Sequence, residues 1–580
     1  MKTGRLDERP WFPSYDKEVL IHQKYPRIPL YGFLEKSALE FPEKVCTIFE
    51  NHEIKYRDIW KYAISFAESL IDLGCKKGDR VGIALSNSPS FVIAFYGILK
   101  TGGVVVAINP LYKESEFGFI LNNADVEILV CQDNHQDLLN KLSQPSNLRV
   151  AIISSASYDN KILSDYENEI SSDSIDNEMH VDPAKRYEKI DSGFSGLRFI
   201  NFLQLVKSDE AKDTSTVVIN DNDPAVFQYS GGTTGIPKAA IGYHRNLVAN
   251  TIQFRSWLWK LKDGQETVLA AIPLYHVYGM VICLSVGISL GASLVIEEDP
   301  RNLDSLLSNI ESHRPTLFPC VPNLFSAIIQ KEKTASRKFD LSSIKICISG
   351  SAPLLPTVKE EFEKLTSGKV LEGYGLSEAP TATHCNPLNG DNKPGSIGLP
   401  LPDVDCRLIP YWDNEGSQED IDVGELLIRG PQVMAGYHNA GDIDNEIIKD
   451  GWLYTGDIAK YDQDGYFYIL GRKKDLIKIG GFQVWPTEIE EVISKHPAVK
   501  EVCVAGVPGS DGNEVVKAWV ILKDGFTSTT EEIQEWVKAR LVNYKSPGLV
   551  EFRTNLPKTF VGKTLRRELV REYLEKISKV

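Results

Sequence analysis

The sequence predicts an α/β protein in two parts, a large domain over residues 1–471 and a small one over residues 472–580. Three observations predict it. The chain has 580 residues, more than a single core of roughly 100–200 residues accounts for. Short apolar runs alternate with helical patterns through most of its length. Finally, the run GRKKDLIKIGG at 471–481 sets a charge cluster beside paired glycines, and a compact β/α pattern follows it. That break reads as a hinge at 471–474 leading into a separate body.

The elements follow in order. Residues 80–86 (RVGIALS) and 104–109 (VVVAIN) are short apolar runs of the kind that form buried strands, and residues 91–100 between them have a helical period. Strand–helix–strand grammar of this kind puts helices on the faces of a parallel or mixed sheet. Residues 155–212 are polar, rich in Ser, Asp and Glu, and weakly periodic, which predicts a surface insertion or long loop. The strand pattern returns at 268–273, 292–296, 316–319 and 344–349. Residues 279–296 (GMVICLSVGISLGASLVI) carry no charge over 18 residues, the lower edge of a membrane span. Three glycines interrupt them and no basic cluster flanks them, so they read as a core helix followed by a core strand. A basic helix over 564–576 closes the chain.

Composition narrows the function. Hydrophobic residues make up 42% and charged residues 25%, as in a soluble globular protein. The net charge of −15 argues against a nucleic-acid partner, which calls for a basic footprint. An anionic substrate must then be held by local groups. Nine scattered cysteines without a CxxC pair point to neither a disulfide framework nor a zinc site, and fit a reducing cytoplasm. The first residues have no apolar signal-peptide core. A peripheral membrane contact and a homodimer stay open.

The richest segment for chemistry is 229–238, YSGGTTGIPK. Gly231, Gly232 and Gly235 let backbone N–H groups close on an anion. Ser230, Thr233 and Thr234 add hydroxyl donors, and Lys238 adds positive charge. A ligand-free glycine turn has the same composition. It is not a Walker A loop, since no glycine is followed directly by Lys-Ser or Lys-Thr.

This loop resembles the phosphate loop of the adenylate-forming superfamily, which contains acyl-CoA synthetases, luciferases and peptide-synthetase adenylation domains. Further segments recur in the family's order: PLYHVYG (273–279), ISGSAPL (348–354), EGYGLSE (372–378), GWLYTGD (451–457), GRKKDLIKIGGFQVWPTEIE (471–490) and PKTFVGKTLRR (557–567). The resemblance runs from about residue 33 to the C-terminus. It implies a large α/β domain with mixed sheets sandwiched by helices, and a small mobile C-terminal α+β domain.

The resemblance also implies roles. His276 borders the acyl pocket and the adenylate, with Tyr275, Val277, Tyr278, Gly279, Val321, Ser349 and Gly350 around the pocket. The turn of Gly350, Ser351 and Ala352 passes under the adenine. Glu372, Gly373, Tyr374 and Gly375 continue the nucleotide site, and Tyr374 is suited to stack on adenine. Ser377 stands where the family more often has Thr and keeps the hydroxyl for phosphate. Glu378 is the Mg²⁺ ligand, a hard oxygen of the kind that metal prefers. Asp457 takes the ribose hydroxyls, with Arg472 as its partner on the sugar. Lys474 is the pivot of the small domain. Gly480 and Gly481 lie along the coenzyme A arm after rotation. Lys563 is the catalytic lysine, while Lys558, Arg566 and Arg567 read as solvated charges. ATP, Mg²⁺ and coenzyme A are the implied cofactors. The implied reaction is acyl-CoA formation from a carboxylic acid through an acyl-adenylate. The phrasing is most like that of long-chain fatty acyl-CoA synthetases. A short, hydroxylated or aryl acid stays open, as does transfer to a carrier protein.

Overall fold

The computed structural model describes residues 9–142, 147–154, 197–206, 217–230, 237–410, 423–439, 441, 443–479, 482–509, 514–559 and 564–577. Among them, two large sheets dominate. One has nine strands, ordered Leu399–Pro400, Ala379–Cys385, Lys369–Leu376, Ile346–Ser349, Leu317–Cys320, Thr267–Ala270, Ser293–Ile296, Val45–Phe49 and His52–Lys55. From Lys369–Leu376 to Val45–Phe49 its pairings are all parallel. The other has seven strands, ordered Arg198–Asn201, Val150–Ser154, Ile128–Gln132, Arg80–Ala84, Val104–Ala107, Pro224–Ser230 and Lys238–Tyr243. It is parallel except for the final hairpin.

Side-chain alternation along the strands builds layers. In the nine-stranded sheet Val268, Leu294, Leu317, Ile346 and Ile348 face one core, while Leu269, Val295, Phe318, Cys347 and Val370 face another. In the seven-stranded sheet Val81, Ile83, Val105, Ile128 and Val130 join the first core, and Val104, Val106, Leu129 and Cys131 face a third. The shared core therefore lies between the sheets, and each outer face is covered by its own helices. This is the period-2 rule applied to strands buried on both faces. The helix Pro89–Lys100 fits the central layer. Pro89 opens it, the Ser88 hydroxyl accepts from the Phe91 N–H, and every residue from Pro89 to Leu99 is buried, as a helix apolar all round must be.

The uncharged stretch 279–296 is core, as the sequence predicts. Its first part, Gly279–Val286, is a π-helix instead of an α-helix, followed by Gly287–Ser289 and the strand Ser293–Ile296. Among the described residues no helix is long and apolar enough to cross a membrane. All nine cysteines are free and buried.

The reading of 155–212 as a surface insertion needs correcting in part. Residues 155–196 and 207–212 lie outside the described residues. Arg198–Asn201, however, is the edge strand of the seven-stranded sheet. Phe202, Leu205 and Val206 after it are buried, and the Ser69 hydroxyl donates to the Leu205 carbonyl at 2.9 Å. A short apolar run, LRFINFLQLV, was averaged away within a long polar window.

From residue 477 onward the chain has cores of its own. One gathers Ile477, Val484, Ile489, Val504, Val520 and Ile533. The other gathers Cys503, Trp519, Leu556 and Leu569. Neither draws on a residue before 477. The C-terminal helix is Arg566–Ile577. Arg566 is not a solvated charge. It pairs with Asp475 at 2.8 Å and Glu490 at 2.7 Å, and its Nε donates to the Val504 carbonyl at 2.7 Å. Lys558 likewise pairs with Glu501 at 2.5 Å. Their partners lie far away in the chain, in the turn Lys473–Asp475, the helix Pro486–Ser494 and the strand Val499–Pro508, which sequence order does not reveal. Arg567 is exposed, as expected.

Candidate active site

Ligands of open α/β sheets collect beyond the carboxyl ends of parallel strands, and the expected motifs gather there. The segment 273–279 follows Thr267–Ala270, Val321 follows Leu317–Cys320, and Gly350 to Ala352 follow Ile346–Ser349. Glu372 to Gly375 lie in Lys369–Leu376. Cys320 pairs with Ser349, and Ser349 with Glu372, across three adjacent strands.

The segment 273–279 and the turn at Gly350 pack as one unit on these strand ends. The Tyr278 hydroxyl reaches the Ile348 carbonyl at 2.7 Å and the Cys320 carbonyl at 3.2 Å, linking two strand ends. A Cβ on Gly350 would meet the Tyr278 ring at 3.2 Å. A Cβ on Gly279 would lie 2.2 Å from the Pro273 carbonyl oxygen, so that turn admits only glycine. Ser351 takes a left-handed φ of 72°, and Ala352 beside it is half-buried. Val277 is buried. Ser349 is 2% exposed, and its hydroxyl has no hydrogen-bond partner among the described residues.

His276 Nδ1 accepts the Tyr278 N–H at 3.2 Å. Burial pulls its pKa down to about 4, so the ring is neutral near pH 7 with its proton on Nε2. A neutral N–H donor of this kind can meet a carboxylate or acyl-phosphate oxygen without adding charge. His244 and His384 are also buried, with pKa values lowered by burial to about 4 and about 3. Below pH 6.5 the unfolded chain takes up protons that these three rings refuse when folded, so stability falls with pH. Glu372 works the other way, since burial raises its pKa to about 7. It takes up a proton on folding between its ordinary range and pH 7. Net of this, the midpoint of urea unfolding is expected to drop between pH 7 and pH 5. The loss is about 1.4 kcal/mol per pH unit for each net proton. A flat profile across that window would contradict the buried neutral histidines.

A second group sits at the carboxyl end of Lys369–Leu376. The Tyr374 hydroxyl donates to Asp457 Oδ2 at 2.5 Å, and Arg472 Nε lies 2.9 Å from Asp457 Oδ1. Asp457 and Arg472 are cross-strand partners in the antiparallel pair Trp452–Tyr461 and Phe467–Arg472. Burial works against the Arg472 charge, but Asp457, then Tyr374, Glu378 and Asp475, outweigh it and raise its pKa. The structure thus joins the expected ribose pair and ties the adenine-side tyrosine to it. Gly373 is half-buried, and Gly375 is exposed with no room for a Cβ, which would lie 1.6 Å from the Thr381 carbonyl oxygen.

A third group joins two expected residues, Glu378 and Lys238, through one that the sequence does not single out, Tyr437. Glu378 Oε1 accepts from the Tyr437 hydroxyl at 2.5 Å, and Lys238 Nζ stands 5.5 Å from the centre of the Tyr437 ring. Ser377 is half-buried one residue before Glu378. Ser230 and Lys238 are cross-strand partners in the antiparallel pair Pro224–Ser230 and Lys238–Tyr243. Only chain pairing at 434–438 exposes Tyr437's place. The QVMAGYH run carries no pattern that singles it out. Lys474 lies in the short 3₁₀ turn Lys473–Asp475. Gly231, Gly232, Thr233, Thr234, Gly235, Gly480, Gly481 and Lys563 lie outside the described residues.

Comparison with known proteins agrees with this geometry. Residues 34–438 match the AMP-binding enzyme family and residues 488–563 the AMP-binding enzyme C-terminal domain. The long-chain-fatty-acid–CoA ligase of Bacillus subtilis (strain 168) is 38% identical, covering 98% of this chain and 99% of its own. The enzyme of the same name from Escherichia coli O157:H7 is 35% identical, covering 96% and 97%. The crystal structure of ATP-bound MatB from Rhodopseudomonas palustris superposes with a TM-score of 0.78 at 25% identity, covering 94% of this chain and 99% of that one. With the expected motifs placed at the strand ends, and on matches spanning nearly its whole length, the chain belongs to the AMP-binding enzyme family and has the adenylate-forming fold.

Proposed function

We propose that this chain is an ATP-dependent acid–thiol ligase that activates a medium- to long-chain fatty acid as its adenylate and passes the acyl group to coenzyme A, releasing AMP and diphosphate. The observation that carries this reading is the pairing of Tyr374, Asp457 and Arg472 in one bonded group and of Lys238, Tyr437 and Glu378 in another, with Glu378 close enough to raise the Arg472 pKa. Names borne by relatives at 35–38% identity support the fatty acid.

In this reading Asp457 receives the ribose hydroxyls, with both carboxylate oxygens fixed in advance by Tyr374 and Arg472. Gly350, Ser351 and Ala352 let adenine lie close to the main chain, and Glu372, Gly373 and Gly375 complete that wall. Ser377 and the 230–235 loop hold phosphates beside Lys238. A divalent cation would be held by Glu378, a half-buried hard-oxygen ligand, together with phosphate oxygens. Such an ion neutralises phosphate charge when bound. His276 donates Nε2–H to the reacting carboxyl. Val277, Tyr278, Gly279, Val321 and Ser349 line the acyl pocket. Lys563 brings a cation to the meeting of carboxylate and α-phosphate.

The division between bodies falls at residues 471 and 472. Separate cores after 477 support it. Lys474 is the pivot, and Gly480 and Gly481 line the thiol's approach once the small body has turned. Nine cysteines without a disulfide support a cytoplasmic location.

The test is pyrophosphate release over acids of increasing chain length together with several aryl acids, with and without coenzyme A. Acyl-CoA and AMP are expected in equal amounts, with kcat/KM rising into the medium- and long-chain range. No AMP with any acid would overturn the reading. Acyl-AMP that accumulates despite coenzyme A would redirect it to a carrier-protein acceptor.

A further inference from the structure

Tyr437 stands where two charges of the site meet, and the reading above gives it no task beyond being there. It is 9% exposed. Its N–H donates to Asp444 Oδ1 at 2.8 Å, and the Met434 N–H donates to the Glu378 carbonyl at 2.8 Å. The 434–437 segment therefore holds Glu378 by main chain and by side chain together. The same segment is stitched to the Lys238–Tyr243 strand. Ile241 N–H donates to the Gly436 carbonyl at 2.9 Å, Ala435 N–H to the Ile241 carbonyl at 3.1 Å, and His438 N–H to the Ala239 carbonyl at 2.9 Å. Tyr437 thus connects the strand that leaves the phosphate loop with the carboxylate at the end of Lys369–Leu376.

We propose that Tyr437 is a positioning residue for adenylation, its hydroxyl holding the Glu378 carboxylate toward the triphosphate and its cation while its ring steadies the Lys238 ammonium beside them. The proposal rests on the function assigned above. A carboxylate on a side chain with three rotatable bonds samples many directions. A hydroxyl donated to one oxygen selects one of them and leaves the second oxygen aimed. The aromatic face attracts an ammonium without neutralising it or fixing it by a directed bond, so Lys238 stays charged and able to follow a phosphate.

Tyr437 also packs with Ala240, Ala379, Met434 and Leu453, so the test must separate positioning from packing. Tyr437→Phe keeps ring and packing and removes only the hydroxyl. Its melting transition is expected to match the wild type. Pyrophosphate release should fall about 10–100-fold, while thioester formation from supplied acyl-AMP should stay within about twofold. Mn²⁺ binding in the presence of a non-hydrolysable ATP analogue, followed by electron paramagnetic resonance, should weaken about 5–20-fold. In a Glu378→Gln background the same change should cost less than about twofold, because the two residues act as one unit. Unaltered adenylation and Mn²⁺ affinity, an equal loss of both half-reactions, or a fully additive loss with Glu378→Gln would each overturn the proposal. A wild-type enzyme that releases no pyrophosphate with any acid would instead overturn the function on which it rests.

Discussion

Lys563→Ala is expected to abolish most adenylation while leaving thioester formation from supplied acyl-AMP largely intact. In the first half-reaction a carboxylate approaches the α-phosphate of ATP, and two anions must meet. One ammonium about 4 Å away supplies roughly 4 kcal/mol at an effective dielectric near 20, which corresponds to about a thousandfold in rate. The second half-reaction needs no such cation, because AMP departs from a mixed anhydride. Single-turnover assays of the two halves check this directly. An equal loss in both would contradict a mobile small domain that presents Lys563 for one step only.

The second large effect belongs to Asp457. Its side chain is 3% exposed and anchors both the Tyr374 hydroxyl and the Arg472 guanidinium. Asp457→Ala leaves that guanidinium beside a cavity without its carboxylate. Loss of one partner of a buried pair costs about 3–5 kcal/mol. Arg472 keeps 33% of its side chain exposed, which brings the expected loss to about 2–3 kcal/mol by urea unfolding. Asp457→Asn keeps the volume and one acceptor, which Arg472 can use while the amide donates to the Tyr374 oxygen, so it should lose less than the Ala variant, about 1–2 kcal/mol, and stay folded. Its KM for ATP is still expected to rise at least about tenfold, because a charged acceptor is lost from the ribose. Unchanged ATP affinity in a folded Asn variant would remove Asp457 from the nucleotide site.

The sequence made some elements legible for a simple reason. Residues 104–107 and 346–349 are strands buried on both faces, so their apolar character is continuous and has no rival explanation. The fold gives the glycines at 279 and 375 their reason, since a side chain has no room there, and at Gly350 a Cβ would press on the Tyr278 ring. The aromatic and acidic residues of 372–378 and 451–457 could be read only through the resemblance, because a lone Glu or a turn Asp beside glycine has an ordinary structural reading. What stayed hidden was whatever depends on distant pairing. Tyr437 acquires meaning only when the 434–438 run lies against Lys238–Tyr243. Arg566 looks like any basic residue of a C-terminal helix until Asp475 and Glu490 come to meet it. Gly279–Val286 shows an apolar run that fits α and π winding alike, and in the fold it packs on the nine-stranded sheet as a π-helix.

The Arg566 contacts have a mechanical consequence. In the proposed cycle Lys474 is the axle and Lys563 the tool. Asp475 follows Lys474 by one position, and Arg566 follows Lys563 by three, so the ion pair at 2.8 Å would act as a strut between them. Stiffness at that strut, more than affinity, would then set how accurately the proposed swing returns one ammonium to the same spot in every turnover.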